Sequence, residues 1–257
     1  MISNINNLIK KNNQLFQQEK KQFLFLSFPR SGSNWACLML QEMIKIAITN
    51  GQLEIPLTKK KGSLIFNIGD LNTDYAKLLE NEAYSGIVKS HGEATWDKNS
   101  HIIYMFRNPQ DVLASFRNWM KKMEPENPKN QWSDFQFIKY NLNLLLLHWC
   151  RAIKFGLSYP SNIIFLEYEN MYLQSLSNMK KMAGFLGLKL QDSELNMIFK
   201  NYEFSSMQLN HPNLIYRTRN KFKRKNEFSY ILILYISILS FIPRKILQYL
   251  AFSRKFQ

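Results

Sequence analysis

Residues Phe23–Glu42 constrain the fold more than any other part of the chain, and they read FLFLSFPRSGSNWACLMLQE. The apolar run Phe23–Leu26 has the length and aromatic content of a buried strand. A polar turn follows at Pro29–Asn34, and apolar residues then recur at spacings of three and four, which predicts a helix. A strand, a small-residue loop and a helix can cradle a phosphate, because loop amides and a helix N-terminus offer donors and partial positive charge. An ordinary strand–turn–helix is the alternative, and the Walker A pattern is absent.

The loop FPRSGSNW resembles the segment with which the PAPS-dependent sulfotransferases bind the 5′-phosphosulfate of 3′-phosphoadenosine 5′-phosphosulfate (PAPS). These enzymes transfer a sulfuryl group from PAPS to a hydroxyl or an amine. The resemblance implies that the loop residues bind the nucleotide and that the tryptophan stacks on the adenine. The residues concerned are Arg30, Ser31, Gly32, Ser33, Asn34 and Trp35.

A second short strand, Gly86–His91, ends in a basic residue and a histidine. Lys89 and His91 are two residues apart, so they share one face of an extended chain. Ligands collect at the carboxyl ends of strands in open α/β sheets, which favours a functional role over a structural one. The segment Lys-Ser-His also resembles the sulfotransferase segment that carries the catalytic base. The resemblance implies that His91 is the base and that Lys89 and Arg30 stabilise the transferring group.

A third strand, His101–Phe106, continues into RNPQDVLAS. Pro109 suits the first turn of a helix, so Arg107 precedes the helix N-terminus and Ser115 lies two turns along it. Spacing alone leaves open that both side chains are ordinary surface residues. The segment closely resembles the family's 3′-phosphate site, including the eight-residue separation, and this implies that Arg107 and Ser115 bind that phosphate.

The strand Asn162–Glu167 precedes Tyr168, and a helix predicted over Ser175–Leu186 ends at Gly187. This part resembles a family element whose tyrosine contacts the adenine, which implies that role for Tyr168. A basic run, Arg217–Ser229, resembles the family's late loop, and the resemblance implies that Arg217 is a third ligand of the 3′-phosphate.

That late loop departs from the family pattern, because Arg219 and Phe222 stand where the family has glycines. Close backbone approach to a ligand usually needs glycine, so the departure bears on the geometry of the loop.

The remaining elements carry no visible chemistry. Residues 1–22 form a polar lead-in, and helices are predicted over Thr73–Glu82, Ser133–Phe155 and Asp192–Tyr202. A proline-containing loop, Met123–Trp132, precedes the long helix, in which His148 is interpreted as a packing residue.

The chain is strongly basic, with 34 Lys and Arg against 19 Asp and Glu and a net charge of +15, so an anionic partner is expected. Cys37 and Cys150 are its only cysteines, which argues against a disulfide framework. The N-terminal residues lack the apolar run of a signal peptide. We therefore expect a cytoplasmic protein, and no spacing of ligand residues suggests a metal site.

The C-terminal segment begins with thirteen uncharged residues, Tyr230–Ile242. A bilayer span needs about 20 apolar residues. The run is therefore either a core helix or an interfacial anchor with basic flanks. We expect Tyr230–Ile242 to pack in the core and Pro243–Gln257 to form a basic tail at an anionic membrane.

The sequence predicts one α/β domain with a mostly parallel β-sheet flanked by helices, of the P-loop NTPase-like sulfotransferase fold. Its divisions are the lead-in 1–22, the sulfotransferase domain 23–229 and the C-terminal segment 230–257.

The predicted function is sulfuryl transfer from PAPS, leaving 3′,5′-ADP, to a glycan or glycolipid without a metal or a nucleic acid partner. A P-loop kinase-like phosphotransferase and a basic nucleic-acid- or membrane-binding protein are the alternatives. A binding protein would account for the net charge of +15. It would not account for the positions of His91, Arg107 and Ser115.

Overall fold

The computed structural model describes residues 22–52, 65–67, 87–91, 98, 100–203 and 228–253. Within these ranges the chain forms five strands and seven helices. The strands are β1 (Gln22–Ser27), β2 (Ile65–Asn67), β3 (Ile87–Ser90), β4 (Ser100–Phe106) and β5 (Ile163–Glu167). The helices are α1 (Ser33–Thr49), α2 (Pro109–Met123), α3 (Asp134–Ser158), α4 (Tyr168–Leu173), α5 (Ser175–Phe185), α6 (Asp192–Tyr202) and α7 (Tyr230–Ser253).

The five strands form one parallel sheet in the order β2-β3-β1-β4-β5. Leu26 of β1 pairs with Ser90 of β3 on one side and with Tyr104 of β4 on the other. The pair Phe106 and Glu167 ends the ladder between β4 and β5. The carboxyl ends of β1, β3, β4 and β5 therefore meet at one edge of the sheet. This architecture confirms the predicted α/β class and brings the predicted site segments to the edge where such sheets bind ligands.

Helices cover both faces of the sheet. Leu24 and Leu26 belong to a core that the sheet shares with α2, α3 and α7. Phe23 and Phe25 belong to a second core with α1, α4, α5 and α6. Strands buried on both faces are apolar at successive positions instead of alternating, which explains the continuous run Phe23–Leu26.

Most element boundaries agree with the sequence to within a few residues. Helix α3 begins after Ser133, whose hydroxyl accepts the N–H of Gln136 at 3.2 Å while the Gln136 side chain returns to the Ser133 N–H at 2.9 Å. This reciprocal capping box defines the start of the helix. Strand β2 was not predicted, because three residues are too few for a periodic pattern. The predicted helix Thr73–Glu82 and the lead-in 1–21 lie outside the described residues.

Residues Tyr230–Ser253 form one continuous helix, α7, and this corrects the division expected at Pro243. The helix packs against α2, α3 and β5, and its core contacts come from both halves, with Ile236 and Leu247 fully buried. Arg244 was expected on a membrane-facing tail, but its Nη2 instead donates to Oε1 of the buried Glu167 at 3.2 Å. A proline in a helix interior costs about 3 kcal/mol, and such contacts after Pro243 offset that cost.

Candidate active site

The loop between β1 and α1 adopts a backbone that few side chains tolerate. The Ser31 N–H donates to the Phe28 carbonyl at 3.2 Å and closes a turn. Arg30 has φ +71° and Gly32 has φ +95°. A left-handed φ costs a non-glycine residue about 1–2 kcal/mol, so the loop holds Arg30 in a strained conformation. Helix α1 begins directly afterwards at Ser33, with Asn34 exposed in its first turn.

Gly32 is required at its position by the ring of Tyr168, which follows the carboxyl end of the outer strand β5. A Cβ atom on Gly32 would lie 2.2 Å from Cδ2 and 2.5 Å from Cε2 of Tyr168. Real Cβ atoms do not approach other atoms this closely, so only glycine fits beneath the ring. Tyr168 directly follows β5, and the loop and the predicted adenine contact are therefore packed against each other.

Arg30, Arg107 and Ser115 form one cluster above the loop. Arg30 Nε donates to Ser115 Oγ at 3.2 Å, and Arg107 Nη1 donates to the Arg30 carbonyl at 3.4 Å. The Arg107 guanidinium carbon lies 4.4 Å from the centre of the Tyr168 ring, and Nη2 lies 3.8 Å from Asp111 Oδ2. The structure thus unites the first loop with the two residues predicted to bind the 3′-phosphate.

Two buried polar atoms in the loop and this cluster have no hydrogen-bond partner within the described part of the chain. They are Oγ of the fully buried Ser31 and Nε of Arg107. A buried polar group without a partner costs roughly 1–3 kcal/mol, so such groups in a native fold call for a partner. A hydroxyl and a guanidinium N–H beside Arg30 are suited to the oxygens of a phosphate or sulfate.

Lys89 connects β3 to the start of α1. Its Cα pairs with that of Phe25 across the parallel ladder, and its side chain is buried. The Lys89 ammonium donates to Oδ1 of Asn34. Cys37, one turn further along α1, is also buried, and burial raises the pKa of its thiol to about 12 although the positive charge of Lys89 opposes the shift. The Cys37 thiol is therefore a core group, and Lys89 is the cation beside the loop.

His91 follows β3, and the contacts of one ring nitrogen define its tautomer. Its Nδ1 lies 3.0 Å from the carbonyl oxygen of Ser27 and 3.3 Å from Ser27 Oγ. A carbonyl oxygen can only accept, so Nδ1 carries the proton and donates it. The lone pair of the neutral imidazole is then on Nε2, the arrangement that a general base requires.

Trp35 and Tyr168 form an aromatic wall beside the loop. Their ring centres lie 5.7 Å apart in an edge-to-face contact, and Trp35 also meets Phe199 of α6 at 6.4 Å. Trp35 Nε1 donates to the Tyr202 carbonyl at 2.7 Å. The sequence indicated no chemistry for α6, so the contacts of Phe199 and Tyr202 with Trp35 were not predicted. No local pattern could reveal it, because 167 residues separate the two partners.

Asn108 and Glu169 also position the site and were not predicted. The Asn108 side chain accepts the Gln110 N–H at 3.0 Å and caps α2. The backbone N–H of Asn108 donates to Glu169 Oε1 at 2.9 Å. Burial raises the pKa of the Glu169 carboxyl, and the hydrogen bond from Asn108 opposes that shift. The Asn-Pro pair before the helix was a capping signal that could have identified Asn108.

Arg217, the predicted third ligand of the 3′-phosphate, lies outside the described residues. Within the described ranges, no group of three or more His, Cys, Asp or Glu residues could hold a metal ion. His148 is buried, as expected, and its Nδ1 lies 2.6 Å from the Tyr104 hydroxyl.

Comparison with known proteins identifies the family. The sulfotransferase domain family matches residues 20–230 of this chain. Sulfotransferase 1E1 of Bos taurus is 28% identical over 218 residues, covering 79% of this chain and 71% of that protein. Sulfotransferase 2A2 of Mus musculus is 26% identical over 208 residues, covering 76% and 69%.

Among solved structures, mouse sulfotransferase SULT7A1 complexed with PAP has a similar fold, with a TM-score of 0.58 and 19% sequence identity. The match covers 93% of this chain and 92% of that one. The loop, the strand ends and the family match agree, and the chain therefore belongs to the PAPS-dependent sulfotransferase family.

Proposed function

We propose that this enzyme transfers the sulfuryl group of PAPS to a hydroxyl of a glycan or glycolipid, with His91 as the general base. The observation that carries this proposal is the contact of His91 Nδ1 with the Ser27 carbonyl at 3.0 Å. This contact leaves the lone pair on Nε2. His91 lies two residues after Lys89, and Ser27, which it contacts, precedes the Arg30 loop. A base in such a position typically contributes about 10²–10⁴-fold to the rate.

The nucleotide is assigned to the basic cluster and the aromatic wall. Ser31, Arg107 and Ser115 supply donors for its phosphate and sulfate oxygens, and the unpartnered atoms on Ser31 and Arg107 support this assignment. Trp35 and Tyr168 supply the aromatic surface for the adenine. Gly32 lets Tyr168 lie against the loop.

PAPS supplies the sulfuryl group and the leaving phosphate, and the chain supplies a base and positive charge. His91 Nε2 takes the proton of the acceptor hydroxyl. Lys89 and Arg30 stabilise the negative charge that develops during transfer. The role of Arg30 is electrostatic, because a guanidinium does not give up its proton in proteins.

The acceptor class and the location rest on the chemistry of the whole chain. A net charge of +15 favours acceptors that carry or adjoin negative charge, as many glycans and glycolipids do. The two cysteines, Cys37 and Cys150, are both free thiols, which is consistent with the cytoplasm.

Replacing His91 tests the proposal. We expect His91→Ala to lower sulfuryl transfer by about 10²–10⁴-fold and to leave the affinity for 3′,5′-ADP nearly unchanged, because the nucleotide is assigned to other residues. His101→Ala is the matched control. His101 lies at the opposite end of β4, against Phe23 and Phe185, and its replacement should preserve transfer. Near-normal turnover by His91→Ala would remove His91 from the role of base.

The acceptor is tested by mass spectrometry. The enzyme is incubated with PAPS and with separate panels of glycans, glycolipids and simple alcohols, and each product is examined for the mass of one added sulfuryl group. Transfer to glycans or glycolipids in the presence of EDTA is the expected result. Transfer confined to simple alcohols would refute the acceptor class while leaving the sulfuryl-transfer chemistry intact.

A further inference from the structure

Helix α7 turns several polar side chains toward the protein and leaves many large apolar side chains exposed. Ser237, Ser240, Arg244 and Gln248 occur every three or four residues and therefore lie along one side of the helix. A helix on the surface of a soluble domain normally turns such residues to water and its apolar stripe to the core. In α7 this polar side faces the protein.

Three of these polar side chains hydrogen-bond to the rest of the domain, and Ser240 bonds within the helix to the Ile236 carbonyl. Ser237 Oγ accepts from Gln110 Nε2 at 2.8 Å, and Ser240 is 2% exposed. Arg244 Nη2 and Gln248 Nε2 donate to Oε1 of Glu167 at 3.2 and 2.7 Å. These contacts determine the rotation of the helix about its own axis.

The side of α7 that faces away from the buried Ile236 and Leu247 is an apolar stripe. Its large side chains are exposed from the first turn to the last, with Ile238 and Ile242 at 64% and 68%. The stripe comprises Ile231, Leu234, Ile238, Phe241, Ile242, Tyr249 and Phe252. Burying one such side chain is worth about 1.5–3 kcal/mol, and a stripe of this size on a monomer marks an interaction surface.

We propose that this stripe docks α7 on the surface of an anionic lipid bilayer, with the helix lying in the plane of the membrane. The helix Tyr230–Phe252 is long and apolar enough to cross a bilayer by length and composition, yet only 17% of its most apolar window is buried. The inference goes beyond sulfuryl transfer, because it assigns a membrane-binding surface on a helix that carries none of the residues proposed for the chemistry.

Charge favours a lipid surface over a second protein. The chain carries +15, and Lys245 lies on the exposed side with its ammonium 5.9 Å from the Phe241 ring. A lysine next to apolar side chains can extend its charge to the headgroups while its stem stays in the apolar layer.

The inward contacts favour a helix that lies on the membrane and does not cross it. To span the bilayer, α7 would have to leave the domain and abandon Glu167, whose side chain is only 5% exposed and accepts from Arg244 and Gln248. It would also carry Arg244 into hydrocarbon, where a charge is costly. A helix in the interface keeps these bonds and still buries its stripe.

Sedimentation with vesicles tests the proposal on the full chain. Wild-type protein should sediment with vesicles of phosphatidylcholine and phosphatidylserine in equal parts. Ile238→Glu should weaken this binding at least about tenfold, because it removes an apolar contact and adds a repelled charge. Lys245→Ala should weaken it about fivefold on the mixed vesicles and little on phosphatidylcholine alone.

Leu173→Glu is the matched control. Leu173 is a 74% exposed leucine at the end of α4, a helix that packs on the other face of the sheet. This variant introduces the same charge, so it should bind vesicles like the wild type. All variants should retain affinity for 3′,5′-ADP, which reports folding independently of lipid and of turnover.

Three results would overturn the proposal. The first is wild-type protein that stays in the supernatant. The second is a lipid-free dimer that Ile238→Glu dissociates, which would assign the stripe to a second copy of the chain. The third is bound protein that alkaline carbonate does not release from vesicles, which would indicate a helix that spans the bilayer. Loss of transfer in His91→Ala with intact sedimentation would separate this inference from the enzymatic one.

Discussion

The contact between Gly32 and Tyr168 gives the sharpest test of the site. Gly32→Ala places a methyl group 2.2 Å from Cδ2 of the Tyr168 ring, on a backbone with φ +95°. The ring must move by more than about 1 Å to restore ordinary contact distances of ~3.5 Å. It cannot do so and keep its contact with the Arg107 guanidinium, which lies 4.4 Å from the ring centre.

Two costs follow, and they can be separated. The left-handed φ alone should lower the free energy of unfolding by about 1–3 kcal/mol. Displacing Tyr168 removes the cation–π partner of Arg107, worth about 0.5–2 kcal/mol, and disturbs the surface assigned to the adenine. We expect the dissociation constant of 3′,5′-ADP to rise roughly tenfold to a hundredfold.

Isothermal titration of a double-mutant cycle measures the contact. In the Tyr168→Ala background there is no ring to displace, so Gly32→Ala should then weaken 3′,5′-ADP binding much less than in the wild type. Gly187→Ala is the matched control, because Gly187 has φ +74° but no atom within 4 Å of its added Cβ. It should lose stability without losing affinity. Equal losses of affinity from Gly32→Ala in both backgrounds would refute the steric argument.

Two further predictions concern Arg107 and His148. Arg107→Ala should weaken 3′,5′-ADP binding about ten- to a hundredfold and adenosine 5′-phosphosulfate binding much less, because only the first ligand has a 3′-phosphate; equal losses would make Arg107 structural. Burial, with the charges of His91 and Arg151, lowers the pKa of His148 to about 4 from 6.5. The unfolded chain therefore binds this proton first, and the free energy of unfolding should fall by roughly 3 kcal/mol between pH 6.5 and 4. Urea titrations should show a shallower fall for His148→Asn, and equal falls would contradict the assignment.

The sequence predicted those helices and strands whose formation depends on neighbouring residues in a short segment. The continuous apolar run of β1 and the proline that opens α2 each result from local chemistry, and each predicted its element. The strand-end positions of Lys89 and Arg107 followed from the same reasoning. Strand β2 has only three residues, which are too few to show the alternating hydrophobic pattern of a strand.

The contacts within the site could not be predicted in this way. The Gly32–Tyr168 approach and the Arg30–Ser115 hydrogen bond join segments that are far apart in the chain. Helix α7 shows a different limit. Pro243 suggested a boundary, but hydrogen bonds to Glu167 hold the following turns in line, and a hydrophobic pattern alone did not reveal which side faces the protein.

Glu167 links the attachment of helix α7 to the residues around Gly32. Its carboxylate binds Asn170, Arg244 and Gln248, and the very next residue is Tyr168, whose ring rests on Gly32. A single peptide bond therefore joins Glu167, which holds α7, to Tyr168, whose ring belongs to the surface assigned to the adenine. Thermodynamic reciprocity then applies: any factor by which nucleotide alters the attachment of α7 is the factor by which that attachment alters nucleotide affinity. Because Glu167 and Tyr168 are adjacent in the chain, we expect the attachment of α7 and the binding of nucleotide to be coupled.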